Sequence, residues 1–135
     1  MHVLNKVHCA LRAGGVLLDT HPEPENPSIE VRLAGGTVVP IGIIDASSLI
    51  SNIHAARASL DQVIAAGCFH PEREVTFEFL AQHASVDGWL AYREQQETTG
   101  KLGDEVIARA RTLLGKSPGV IVVRERSRAV ILVRT

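Results

Sequence analysis

Asp19 and His21 sit two residues apart at the end of an apolar run, Val16-Leu17-Leu18. On an extended chain, residues at i and i+2 project to the same side, so a carboxylate and an imidazole share a face there. That pairing suits proton transfer, because the acid orients the ring and the ring exchanges a proton near neutral pH. Asp19 and His21 are therefore the candidate catalytic pair. The ordinary alternative is a pair of polar residues opening a solvated loop. A metal held by both is a third reading, but none of the six histidines falls in a His-Glu-x-x-His or His-x-His spacing. No Cys-x-x-Cys occurs either, so no metal is expected.

Other residues belong to a candidate ligand pocket. Thr20 lies on the same rim. His54 stands one helical turn before Arg57, on a pocket wall or on a solvated helix face. Phe77, Phe79, Trp89 and Tyr92 hold nearly all the aromatic content, which serves either core packing or a small-molecule wall. Arg124, Arg126, Arg128 and Arg134 recur at even spacing, which puts them on one strand face. Such a row binds an anion or, more ordinarily, discourages edge-to-edge aggregation. The sequence has no glycine-rich phosphate loop and no Gly-x-Ser-x-Gly elbow.

The elements that position these residues follow from periodicity. Val3, Leu4, Val7 and Leu11 mark an opening helix, and Gly14-Gly15 stops it. Val16-Leu17-Leu18 suits a strand covered on both faces, as in a parallel sheet. His21 to Pro27, with Pro22, Pro24 and Pro27, is expected to be a loop. Ile29, Val31 and Leu33 alternate, Ala34-Gly35-Gly36 turns, and Thr37 to Ile44 returns as a hairpin. Pro40 there predicts an edge or a bulge. Asp45 to Ser48 caps a long helix carrying Leu49, Ile53, Leu60, Val63 and Ile64, with Gly67 as its stop. Glu74 to Gln82 is expected as a strand, and Ser85 caps a short helix. Glu94 to Lys101 reads as a mobile polar run. Asp104 opens a further helix that Gly115 is expected to end. Val120 to Val133 lacks a turn signal and is expected as one long, bent strand.

The chain has 135 residues, 45% hydrophobic and 21% charged. That is the composition of an ordinary globular protein, and the length suits a single domain over residues 1–135. With 14 basic and 15 acidic side chains the formal charge is −1, which argues against a nucleic-acid partner. No apolar run of about 18 residues is present, so no membrane partner is expected. The first eight residues lack the apolar core of a signal peptide. Cys9 and Cys68, far apart, are expected to be free, buried thiols in a reducing cytoplasm.

The stretch Ala10-Leu11-Arg12-Ala13-Gly14-Gly15, leading into Val16-Leu17-Leu18, resembles the late part of class I S-adenosylmethionine-dependent methyltransferases. In that family a helix ending in Ala-Leu-Arg-Pro-Gly-Gly feeds a strand of the central sheet; here Ala13 holds the proline position. The resemblance implies the C-terminal half of a partial Rossmann-like fold, with Asp19 and His21 on the acceptor rim. The family's cofactor site lies in its first half. This sequence has no glycine-rich strand-turn-helix, so no cofactor is expected for this chain alone.

The fold expectation is therefore α/β or α+β, a mixed sheet of about four or five strands with helices packed on it. Three functions follow. One is a methyltransferase-like fragment or split subunit, inactive alone. Another is a stand-alone small-molecule-binding or protein-interaction module that oligomerises. The last is an enzyme of another class using Asp19 and His21. A half-sheet exposes apolar surface, so a homodimer, or a partner supplying the missing half, is expected.

Overall fold

A computed structural model describes residues 2–96 and 100–135. The elements run α1 (His2–Ala10), β1 (Val16–Pro22), β2 (Ser28–Leu33), β3 (Val38–Asp45), α2 (Ser47–Ala65), β4 (Phe69–His83), α3 (Val86–Glu94), β5 (Lys101–Leu102), α4 (Asp104–Lys116) and β6 (Gly119–Arg134). The fold is mixed α and β: an antiparallel sheet of six strands with four helices. Strand pairing follows the order β1-β6-β2-β3-β5, with β4 also on β6. The sheet thus has one strand more than the four or five expected, and it is antiparallel, not the parallel setting that the apolar run Val16-Leu17-Leu18 suggests.

The chain gathers into two compact units. The first comprises Met1–Pro24, Ile50–Phe77 and Arg126–Thr135; the second comprises Glu25–Leu49 and Glu78–Glu125.

In the first unit β1 lies antiparallel to the end of β6, from Val16 opposite Val133 to Pro22 opposite Ser127. Leu17 of β1 and Val130 and Leu132 of β6 point into a core closed by Leu60 and Val63 of α2, by Phe69, and by Leu4, Val7 and Leu11. Leu132 is wholly buried. The alternate residues Val16 and Leu18 are exposed. Val16-Leu17-Leu18 is therefore not covered on both faces. It is an ordinary half-buried antiparallel strand whose outer positions happen to be apolar. The strand also runs on through His21 and Pro22, which are not loop residues, because Ser127 and Arg128 continue the pairing. Gly14, at φ +73°, supplies the left-handed step between α1 and β1.

The second unit holds the β2–β3 hairpin as its pattern predicts. Its register slips by one residue between Ile29, opposite Gly42, and Glu30, opposite Pro40. This is a bulge beside the proline that cannot donate to a ladder. Gly42 takes φ +154°, and a Cβ on it would fall 2.6 Å from Cγ2 of Val106, so only glycine lets α4 approach β3 this closely. The core is Ile29, Val31, Ile41, Ile44, Val86, Trp89, Val106, Ala110 and Ile121. Ser85 caps α3, its hydroxyl accepting from the Gly88 amide at 3.0 Å. α4 passes through Gly115 and ends at Lys116. Ser117 is extended, as the residue before Pro118 must be, so the proline and not Gly115 ends the helix. The polar run Glu94–Lys101 is structured at both ends: Glu94 closes α3 and Lys101 pairs with Asp45. Its middle, residues 97–99, lies outside the described residues.

β6 is one strand of 16 residues, as the missing turn signal predicts. β4 is longer than expected, 15 residues from Phe69 to His83.

Candidate functional site

Asp19 and His21 do meet. Nδ1 of His21 lies 2.8 Å from Oδ2 of Asp19. On the other side of the ring, Nε of Arg57 donates to His21 Nε2 at 3.1 Å. A guanidinium is always a donor, so Nε2 must be the acceptor and the ring proton sits on Nδ1, donated to Asp19. Arg57 also donates through Nη2 to Oε2 of Glu23 at 2.7 Å. Asp19, His21 and Glu23 are alternate residues of one extended segment, and Arg57 reaches them from α2. All four are partly buried, the His21 side chain only 13% exposed.

This arrangement fills both ring nitrogens. A general base needs a free lone pair within reach of a substrate proton, and here Arg57 holds the one the ring has. Geometrically the cluster is a clamp of α2 onto β1.

Next to it, Nε and Nη2 of Arg128 donate to the two oxygens of Glu74 at 2.7 and 2.8 Å. That two-pronged contact, helped by the nearby charge of Arg57, holds the Glu74 carboxyl below the usual carboxylate range. In the second unit Arg124 pairs with Glu78 at 2.6 Å and with Glu30 at 3.5 Å. Arg124 and Arg128 of the even-spaced row thus pair with glutamates of neighbouring strands, whereas the buried Nε of Arg134 has no hydrogen-bond partner. Among the described residues no group of three or more acidic, histidine or cysteine side chains is placed to hold a metal.

The pocket candidates do not gather into one wall. Thr20 lies exposed on the face of β1 opposite to Asp19 and His21. His54 is exposed on α2, while Arg57 one turn on faces the cluster. Trp89 is 1% exposed in the core of the second unit. Tyr92 is exposed and leans on His83, with ring centroids 5.1 Å apart. Phe77 and Phe79 stand on β4 at 41% and 58% exposure, neither core nor cavity.

His83 lies between Tyr92 and Trp89, and burial lowers its pKa below the usual imidazole value of 6.5. The folded protein therefore disfavours the imidazolium more than the unfolded chain does. The stability this gives is complete above the unfolded value, about 6.5, and is lost as pH falls through it towards the lower folded value. Urea unfolding at pH 7.5 and at pH 5.5 checks this. The wild type is expected to lose more stability between the two than His83→Phe, which keeps a ring in place but cannot titrate. An equal loss in both proteins would remove His83 from the acid response.

What the pattern of aromatic residues could not show is a second surface. In the first unit β6 carries β1 along one edge and β4 along the other. Directly opposed residues share a face, so Val16, Leu18 and Thr20 face the same way as Val133, Ile131 and Ala129. Glu74 reaches Arg128 on the opposite face, beside His21. By local alternation from Glu74, Val75 and Phe77 then point to that side of the layer too, although the parity does not run on to Phe69, which packs in the helix-side core. Exposures are 57% for Val16, 62% for Leu18, 39% for Val75 and 41% for Phe77, and Ala129, Ile131 and Val133 are half-buried. One face of this three-stranded layer packs on helices; the other is apolar and open. Comparison with protein-family models, with curated proteins and with solved structures returns no match, and the function rests on this geometry alone.

Proposed function

We propose that this chain is a protein-interaction module whose working surface is the open apolar face formed by Val16, Leu18, Val75, Phe77, Ile131 and Val133. The observation that carries the reading is that large apolar side chains on β1 and β4, the strands flanking β6, point into solvent, Val16 and Leu18 lying beside Val133 and Ile131. Isolated exposed apolar residues are ordinary, but contiguous ones are not.

The polar cluster, by contrast, has its groups occupied by one another, which favours binding over catalysis for this chain. A split methyltransferase subunit would use the same open face for its missing half; the antiparallel setting of β1 lends that version no particular support. Cys9 and Cys68 are both free; Cys9 is exposed, not buried as expected, and an exposed free thiol suits a reducing compartment such as the cytoplasm. Among the described residues no helix is long and apolar enough to cross a membrane.

A photo-crosslinking amino acid at position 77 tests the reading in expressing cells. A discrete protein adduct is expected from position 77 that disappears when Leu18→Glu is added. The same probe at Val38, an exposed apolar residue of the second unit, is expected to give none. The absence of any adduct at position 77 would sink the proposal.

A further inference from the structure

We propose that His21 is a pH-operated latch: its neutral ring holds Arg57, and a second ring proton drives Arg57 off and loosens the turn of α2 that carries it. Nothing need change at Asp19. Nδ1 keeps its proton on that carboxylate in both states, at 2.8 Å. Nε2 is the moving part. It accepts from Nε of Arg57 at 3.1 Å, and a guanidinium has no lone pair with which to accept in return. A proton on Nε2 therefore sets two donors and two positive charges against each other. The Arg57 contact and the imidazolium exclude one another.

An imidazolium at this place is not left without counter-charges. Asp19 and Glu23 face the ring from its own extended segment, Glu74 comes from β4, and Asp61 lies one turn beyond Arg57 on α2. The cations are Arg57 itself and Arg128 of β6. His54, one turn before Arg57, is exposed. Water reaches the ring, whose side chain is 13% exposed.

The latch also sits where α2 depends on it. Leu60 and Val63 are the buried residues of α2, and both follow Arg57. From Ile50 to Arg57 no side chain is fully buried, so apolar packing holds this stretch weakly. Arg57 ties it to the strand through two contacts, one to His21 and one to Glu23. Protonation breaks the first and leaves the second. The turn loosens without undocking the helix, because Leu60 and Val63 stay in the core with Phe69, Val130 and Leu132. A histidine with an acid on one nitrogen and a cation on the other has two discrete arrangements, which is what a pH switch requires.

Nuclear magnetic resonance of the full chain between pH 8 and pH 5 reads the latch without any substitution. The ring nitrogens of His21, assigned through the bonds of its own side chain, should show the proton on Nδ1 and a bare Nε2 at pH 8. The Nε–H of Arg57 should be protected from exchange at pH 8, relative to an unstructured arginine at the same pH. That protection should fall about tenfold or more as the ring gains its second proton, the size of effect that a hydrogen bond to a charged group gives. Amide protection at residues 54–58 should fall over the same range, while that of Leu60 and Val63 holds. In His21→Gln the side-chain carbonyl can still accept from Arg57 but cannot titrate, so protection at Arg57 should stay level from pH 8 to pH 5. A proton on Nε2 at pH 8 overturns the latch, since Arg57 could not then be bonded there. Arg57 protection that is indifferent to protonation of the ring overturns it as well, and so does an equal fall in His21→Gln. If His21→Gln does not fold, the two readings on the wild type decide.

Discussion

Replacing Trp89 by alanine is expected to cost about 4 kcal/mol of folding stability, the largest single-residue effect in this chain. Trp89 is 1% exposed and its indole is the largest buried side chain of the second unit. It is enclosed with Val86 of its own helix, Val106 and Ala110 of α4, and the β2–β3 residues Ile29, Val31 and Ile41. Alanine leaves a cavity that this core cannot close, because the wall opposite is already tight: Val106 packs against the backbone of Gly42. The loss is therefore the transfer term plus a cavity term, near the upper part of the usual range. Urea unfolding followed by far-ultraviolet circular dichroism measures it, since the variant lacks the chain's one tryptophan. Trp89→Phe keeps most of the volume and should lose less than half as much. If Trp89→Ala unfolded at the wild-type midpoint, the indole would be a dispensable pocket wall and the core as described would be wrong.

That result also separates residues that look alike in sequence. Trp89, Phe77 and Phe79 are all large aromatics on patterned segments, and only packing distinguishes them. Trp89 sits on a short helix whose two buried residues, Val86 and Trp89, are three apart and so share one stripe, while the apolar neighbours Leu90, Ala91 and Tyr92 hide that stripe in the sequence. Phe77 and Phe79 alternate with Thr76 and Glu78 on a strand, which says that one face is apolar but not that anything covers it. The run Val16-Leu17-Leu18 misleads for a related reason. An apolar residue at each position hides the alternation that would reveal a half-exposed strand, and three residues are too few to carry a period. β6 is harder still. Its deepest positions are Ile121 and Val122 near one end and Val130 and Leu132 near the other, so no single parity runs through it. Only the missing turn residues betray its continuity. The hairpin, by contrast, is fully legible, because Ala34-Gly35-Gly36 and Pro40 each demand a particular backbone. The Asp19–His21 contact is legible as well, being local. Its partners Arg57 and Glu23 are not, since they meet only when α2 docks on β1.

Arg57→Ala is expected to cost roughly 2–3 kcal/mol, because it strips one cation from two partners at once. Glu23, with 17% of its side chain exposed, loses its ion pair, and Nε2 of His21 loses its donor. The cost stays below that of a fully buried pair because Arg57 is itself a quarter exposed, and water reaches part of the gap. The double variant Arg57→Ala with Glu23→Gln should recover part of the loss, since an uncharged amide tolerates the vacated position better than an unpaired carboxylate. That recovery is the coupling a double-mutant cycle reads. A loss within about 0.5 kcal/mol of zero would mean that the clamp does not hold in water and that His21 is free for other chemistry. The same variant bears on the proposed surface. The clamp lies on the helix-covered side of the first unit and the open face on the other, so Arg57→Ala should lower stability without changing the adduct formed from position 77 below its unfolding transition. Leu18→Glu should do the reverse. Two variants on one strand layer, one moving only folding and the other only association, are what a module with a structural side and a binding side must give; a single layer serving both tasks on one face would move both quantities together.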